Sequence, residues 1–430
     1  MATSVISLPT ASSSENLHAL AEVSDFGLTD MGYPGQGPWT YRILQDPSLT
    51  EELCRRSGAR TYLFGVDVVS LQPCPSHISQ SQDRYVVEEW DLPDGKWIFN
   101  GVFDGHLNRH TVDFVVQMLP SDIKQALHAA IPSSAFICPS QVSHILHSAV
   151  RKIDNTITSH FLDLFPRDST ALDQLNDSDI QLAFKRDGRY NHNYDVAVRS
   201  LGGTTLVLSL TDSRGNLWVV NLGDCRAVLG LRQHGIWSGK QITSVHDPHN
   251  PGELSRVSLE HPDEVDAIKD GRVIGFLEPT RAIGDTWLKV PAIYASRVYS
   301  NLKQPWISSK KFKEYAKRIL TPPYISNIPD IHHYVLDQPY FVLLASDGVL
   351  STERYADMEA EEIVEHWVNI TGRALDSRSS KISNPALCLL RDMIGGDDTH
   401  MASRNLTVEM EERWMDDTTI LIQGVGCGRL

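Results

Sequence analysis

The chain carries no Lys or Arg before Arg42, no cysteine pair at CxxC spacing, no Gly-Lys-Ser/Thr phosphate loop and no apolar run long enough to cross a bilayer. Each absence excludes something. A secretory n-region or an Arg-rich presequence needs early basic residues, so the expected setting is intracellular, cytoplasmic or nuclear, with a mitochondrial address disfavoured by the leader. The scattered cysteines (Cys54, Cys74, Cys138, Cys225, Cys388, Cys427) fit a reducing compartment better than a disulfide framework or a zinc site. The apolar run Tyr340 to Ala345 is far too short for a membrane span. A formal charge of −15 leaves no basic footprint for nucleic acid. Gly202-Gly203 precedes a β pattern and reads as a close backbone crossing, not a phosphate cradle.

With 41% hydrophobic and 22% charged residues the chain can bury a sizeable core. Residues 1–40, rich in Ser, Gly and Pro, read as a poorly ordered leader, and 41–430 as one domain decorated by insertions near 165–199 (a polar loop region), 286–320 and 371–410. Period-2 and short apolar runs predict strands at 61–70, 84–90, 96–104, 204–210, 216–222, 226–231, 331–336, 340–346 and 417–422. Helical spacing predicts helices over 108–130 (broken at Pro120), 140–164 and 349–368. Strands, a helix pair, strands, then a helix and a strand imply layered sheets faced by helices.

The chemistry gathers at strand ends. The run Trp97 to Phe103 stops at Asp104-Gly105-His106, Tyr340 to Ser346 stops at Asp347-Gly348, and Asp416 precedes the strand starting at Asp417. Asp83 stands just before the strand at Arg84. Carboxylates that converge cannot all stay ionised without a cation. Oxygen ligands with water in the remaining positions favour Mg²⁺ or Mn²⁺, and two such ions about 3.5–4 Å apart can activate a water and clamp a phosphoryl oxygen.

These residues fall in a longer series: Gln82-Asp83-Arg84, Gly101 to His106, Leu201 to Thr205, Val220 to Arg226, His246 to Asn250, Gly271 to Phe276, Thr280 to Asp285, Leu344 to Gly348 and Asp416 to Thr419. In content and order the series resembles the metal-dependent (type 2C) Ser/Thr protein phosphatases, and Thr280 to Lys289 looks most like the pyruvate dehydrogenase phosphatase branch. The resemblance implies an α+β, four-layer αββα sandwich: two central, mainly antiparallel sheets flanked by helices, with a dinuclear Mn²⁺ or Mg²⁺ site at one end. It implies that Asp104 bridges both ions, the Gly105 carbonyl binds the second, Asp347 and Asp416 complete the first, and Asp83 holds metal-bound water. His106 would be the general acid for a leaving Ser or Thr oxygen. The implied partner is a phosphoserine or phosphothreonine protein, with no nucleic acid or membrane, acted on by a monomer.

The chain also departs from the family pattern. Gln82 stands where the family has a second-metal Glu; its carbonyl oxygen can still coordinate that ion, but with one negative charge fewer the ion should bind more weakly. Ile78 replaces the phosphate-binding Arg, leaving Arg84 as the candidate substitute, and Ser351 replaces an acid that would pair with Asp247 in a third-metal site. Leu107-Asn108 replaces Gly-Gly. The expected activity is phosphoprotein hydrolysis by direct attack of a water bridging the two ions. The alternatives are a catalytically weakened, phosphoprotein-binding module on the same fold, and a metal-dependent nuclease, which the acidic charge disfavours.

Overall fold

Alternation along the strands decides the layering. The computed structural model describes residues 25–72, 81–131, 136–185, 191–377, 384–410 and 412–427. Along Tyr340–Ala345, Val342 and Leu344 enter one apolar cluster while Phe341 and Leu343 enter another. A strand with period-2 side chains apolar on both faces needs cover on both. Val66–Leu71 divides the same way, with Val66 and Val68 on one side and Val69 and Leu71 on the other. On Gly203–Asp212, Val207 joins the first cluster and Leu206, Leu208 and Leu210 join a third. The shared cluster is therefore the seam between two sheets.

One sheet runs in the order Asp330–Val335, Asn216–Leu222, Gly203–Asp212, Gly95–His106, Arg84–Leu92, with the short Ile283–Gly284 also paired to Gly203–Asp212. The other runs Ile236–Gln241, Arg226–Gln233, Tyr340–Ala345, Thr418–Val425, Val66–Leu71, Arg60–Tyr62. Neighbouring strands in both are antiparallel. Helices Arg109–Ala130 and Pro139–Leu162 cover the outer face of the first sheet through Val112, Val115, Leu146 and Val150. Ser48–Ser57, Ala360–Asp376 and Pro385–Met393 cover the second through Leu53, Trp367 and Leu390. The result is the expected αββα sandwich.

Several details differ from the sequence reading. The run 61–70 is a hairpin, because Gly65 turns the chain between Arg60–Tyr62 and Val66–Leu71. Pro120 lies inside an unbroken helix, Arg109–Ala130. The helix after Asp347 begins only at Ala360, where Glu359 and Glu362 form a reciprocal capping pair. Residues 1–24 of the expected leader lie outside the described residues. Its remainder is a docked arm: Phe26–Thr29 pairs with Trp39–Arg42, and the Leu44 and Arg42 backbone N–H groups donate to Ser403 Oγ and Thr407 Oγ1 at 2.9 Å each. Residues 165–199 hold three helices (Ser169–Gln174, Asp177–Ala183 and the start of His192–Leu201) instead of a loop. With 286–320 they form a satellite core around Phe161, Tyr299 and Phe312. Much of 371–410 is not decoration either, since Pro385–Met393 belongs to the outer layer.

A buried polar cluster crosses the middle of the seam. Asn100 Nδ2 donates to Gln423 Oε1 (2.8 Å) and Ser209 Oγ (3.2 Å), and Gln423 Nε2 donates to Thr211 Oγ1 (3.1 Å), all buried. Removing one partner of a buried hydrogen bond costs more than removing both. Gln423→Leu is expected to lower unfolding free energy by about 1–3 kcal/mol, and Asn100→Leu/Gln423→Leu by less than the sum of the single losses. Urea denaturation of the three variants checks this; strict additivity would mean the bonds across the seam contribute nothing.

Candidate active site

Strand register gathers the carboxylates. Asp104 pairs with Thr205, and Ala345 pairs with both Arg226 and Ile420. The segments just beyond these positions, carrying Asp347, Asp224 and Asp416, therefore emerge at one end of the sandwich. A cavity of about 330 Å³ opens there, lined among others by Gln82, Asp104, His106, Asp224, Asp347 and Asp416. Gly348 permits the crossing, since a Cβ there would fall 1.9 Å from the Asp417 carbonyl oxygen.

Burial and mutual repulsion disturb this set. Asp83 lies buried just beneath the cavity, and burial with the charges of Asp417 and Asp347 pushes its carboxyl up to about 8. Burial, then Asp347, pushes Asp224 up to about 7. Asp104 is held well above the usual carboxylate range by burial and by Asp83, Asp347 and Asp224. Asp347, within hydrogen-bonding reach of Asp104, is raised chiefly by burial. One oxygen each of Asp83 and Asp347 is buried without a hydrogen-bond partner. Orphaned, repelling carboxylate oxygens suit a hard divalent cation. Among the described residues no three His, Cys, Asp or Glu side chains close a metal shell on their own. A cation here would keep several waters, the habit of Mg²⁺ in particular.

The paired aspartates at the start of the last strand divide their work. Asp417 is buried, accepts the Gln82 backbone N–H (2.7 Å) and pairs with Arg413 (2.6 Å). Asp416 is half exposed, lines the cavity and also pairs with Arg413 (2.6 Å). Asp83 is fixed from the facing sheet, where Ser346 Oγ, just past Tyr340–Ala345, donates to its Oδ2 (2.7 Å) and accepts the Thr419 N–H (2.9 Å).

His106 Nε2 lies 2.8 Å from Asp285 Oδ2. Burial opposes the imidazolium, but the charge and hydrogen bond of Asp285, with Asp224 behind them, outweigh it and the His106 pKa is raised. Asp285 is fully buried in a left-handed conformation (φ 48°), an unusual geometry for a residue with a side chain. Its segment is pinned by Asp154, which accepts the Gly284 N–H (2.8 Å) and Lys289 Nζ (2.6 Å). Gly203 makes room for the pair, because a Cβ there would sit 2.0 Å from Asp285 Oδ2. The Gly202-Gly203 crossing is thus part of the site. The sequence reading gives Asp224 and Asp285 no role, although each stands beside a glycine at the end of an apolar stretch, following it where Asp104 and Asp347 precede theirs.

The substituted positions can be placed. The Gln82 amide lies against the Gly105 carbonyl (3.2 Å) and the Asn108 N–H (3.1 Å), and the orientation satisfying both puts its NH₂ on the carbonyl. Arg84 is not among the residues lining the cavity. Its Nε donates to Asp113 (2.8 Å) and its Nη1 to the Ser81 and Asp83 carbonyls (2.8 and 2.7 Å). Ile78 lies outside the described residues. Leu107 adopts φ 65°, and Asn108 caps the following helix by accepting the His110 N–H (2.9 Å). Ser351 Oγ accepts the Asp416 N–H (3.2 Å), and Asp247 caps backbone N–H groups of His249 and Asn250 (2.8 and 3.0 Å).

An ionic chain supports the Asp224 turn from behind. His246 Nδ1 accepts the Gly223 N–H (3.0 Å), its Nε2 meets Asp330 (3.0 Å), and Arg281 joins Asp330 (2.9 Å) to Glu253 (2.5 Å). Glu253 also accepts from Thr280 Oγ1 (2.5 Å) and Arg256 Nη2 (2.8 Å).

Fold and site together define a phosphatase class: a model of the protein phosphatase 2C family matches residues 140–387, which take in Asp224, Asp285 and Asp347, and the chain belongs to that family. A protein phosphatase 2C homolog of Schizosaccharomyces pombe is 26% identical over 395 residues, covering 85% of this chain and 80% of the relative. The mitochondrial pyruvate dehydrogenase (acetyl-transferring) phosphatase 1 of Saccharomyces cerevisiae is 26% identical over 361 residues, of which this chain spans only 58% of the relative. In fold the chain is similar to the serine-threonine phosphatase 2C of Toxoplasma gondii (TM-score 0.51, 17% identity, 85% of this chain and 96% of that one). Among the described residues no helix is long and apolar enough to cross a membrane.

Burial alone would raise the Glu253 carboxyl, but its bonds to Arg281, Arg256 and Thr280 win and hold it at about 2, below the ordinary 4.5. A lowered carboxylate contributes stability above its unfolded pKa and loses it as pH falls through its folded one. Wild type is therefore expected to melt above Glu253→Gln at pH 5–8, with the gap closing between about pH 4.5 and 2. Melting curves across that range check it, and a gap independent of pH would contradict the assignment.

Proposed function

We propose that this chain is a metal-dependent protein serine/threonine phosphatase that hydrolyses phosphoserine and phosphothreonine esters by direct attack of water. The observation that carries the reading is the buried set Asp83, Asp104, Asp224 and Asp347, with raised pKa values and orphaned oxygens, beside the His106–Asp285 pair. Asp104, Asp347 and Asp416 would hold a first Mn²⁺ or Mg²⁺, with Asp83 beneath. A second would use Asp104 and the Gly105 carbonyl. When bound, the ions supply an activated water and neutralise the phosphoryl oxygens.

The first position fits the residues present. At the second, the Gln82 NH₂ must leave the Gly105 carbonyl before that oxygen can serve as a ligand, and Gln82 brings no negative charge. The second ion is accordingly the weaker one. His106 acts on the leaving side. Asp285 engages Nε2 and favours the imidazolium, leaving Nδ1 to protonate the departing Ser or Thr oxygen. The reading of the chain as a lapsed, phosphoprotein-binding module rests on Gln82, Ile78 and Ser351. The intact carboxylate set and its buried histidine–aspartate pair favour the enzyme.

Hydrolysis of a phosphothreonine peptide with Mn²⁺ titrated tests the activity. Turnover should require the metal and vanish in Asp104→Asn. Gln82→Glu should lower the Mn²⁺ concentration for half-maximal rate by about tenfold, the worth of one added hard charge. No turnover in either protein at any metal concentration would overturn the proposal.

A poor leaving group needs a proton and a good one does not. His106→Gln and Asp285→Asn should each slow the phosphothreonine peptide by roughly 10²-fold or more, yet slow p-nitrophenyl phosphate far less. Equal losses on both substrates would exclude His106 as the acid.

A further inference from the structure

A phosphate dianion entering a cavity walled by aspartates needs a fixed cation as well as the ions bound there. The family resemblance places that cation at position 78, which here is isoleucine. The other basic groups nearby are mostly committed. Arg84 is held by Asp113 and two backbone carbonyls. Lys289 is buried in its pair with Asp154 behind His106. Among the described residues the arginines lining the cavity are Arg272 and Arg413. Arg272 gives Nη2 to Glu278 (2.7 Å) and Nη1 to the Phe276 carbonyl (3.3 Å), so its charge is already answered at the rim.

Arg413 is different. Both of its ion pairs, to Asp416 and Asp417, make their closest approach through Nη2 at 2.6 Å, and among the described residues no hydrogen bond occupies its Nε or Nη1. A guanidinium is a five-donor fork, and its remaining edge matches two phosphate oxygens. Asp417 accepts the Gln82 N–H on its other oxygen, which ties the guanidinium to Gln82, itself a residue lining the cavity. We propose that Arg413 receives the phosphate dianion of the substrate and of the product, entering from the segment that leads into the last strand instead of from the one before Gln82. The proposal rests on the phosphatase reading for the identity of the ligand.

The test uses Arg413→Met, Arg413→Lys and Arg272→Met. It reads KM and kcat on a phosphothreonine peptide, competitive inhibition by inorganic phosphate, and Mn²⁺ and phosphate binding by calorimetry. Arg413→Met should raise KM and weaken phosphate inhibition by about ten- to a hundredfold, the loss of a charged hydrogen-bonded pair, with Mn²⁺ affinity changed by less than about threefold on the same scale. Arg413→Lys should recover part of the loss, because a point charge replaces a fork. Unchanged phosphate inhibition with lost Mn²⁺ affinity would overturn the proposal and leave Arg413 as an anchor for Asp416. A larger effect in Arg272→Met than in Arg413→Met would overturn it in favour of Arg272. Absence of metal-dependent turnover in wild type would sink the phosphatase reading instead, while phosphate calorimetry would still decide for or against Arg413.

Discussion

The organising constraint is electrostatic: two sheets meet so that Asp83, Asp104, Asp224 and Asp347 are removed from water at one end of their seam. Like charges in such a place either take up protons or take up a cation. Burial first, and then the charge of neighbouring carboxylates, push all four carboxyls above the ordinary range. Arg413 answers only Asp416 and Asp417, the pair at the start of the last strand. The unresolved remainder is what makes a divalent cation the natural complement of the fold.

Convergence depends on backbone register more than on any single side chain. A one-residue slip of Gly95–His106 against Gly203–Asp212 would turn Asp104 to the opposite face, and the alternation of Val102 and Phe103 between two separate cores forbids it. The glycines act at the same level. Gly348 lets Asp347 cross under the Asp417 carbonyl, and Gly203 lets the strand pass within van der Waals distance of the His106–Asp285 pair. Core packing and chemistry are therefore held by the same registers, and the Asn100–Gln423 bond ties those registers across the seam.

The strand ends at Asp104, Asp347 and Asp416 were legible because an abrupt stop of an apolar run is a local signal. So were the layers, since period-2 runs and the long helical stripes at 109–130 and 139–162 are local as well. Asp224 and Asp285 were not, because a Gly-Asp after a short strand reads as a turn until the partner strands are known. The Arg84 expectation rested on proximity in sequence to Asp83. At that point the strand turns its side chain towards the helix residue Asp113, a contact set by tertiary packing. The interval 165–199 looked like a loop because its helices are short and polar outside, and they stand only by packing Leu172, Ile180 and Phe184 into the satellite core.

The departures from the family pattern are best understood together. Gln82 in place of Glu removes a negative charge, and Ile78 in place of Arg removes a positive one four residues earlier in the same segment. The two losses offset each other in net charge: on the reading proposed above, positions 78 and 82 bring neither charge, and the cation beside the acids is Arg413, whose partner Asp417 also accepts the Gln82 N–H. Either loss alone would change the net charge of the cavity by one unit. With both, the uncharged Gln82 amide is free to hydrogen-bond the Gly105 carbonyl, and Arg413 is the cation that the proposal above assigns to the phosphate.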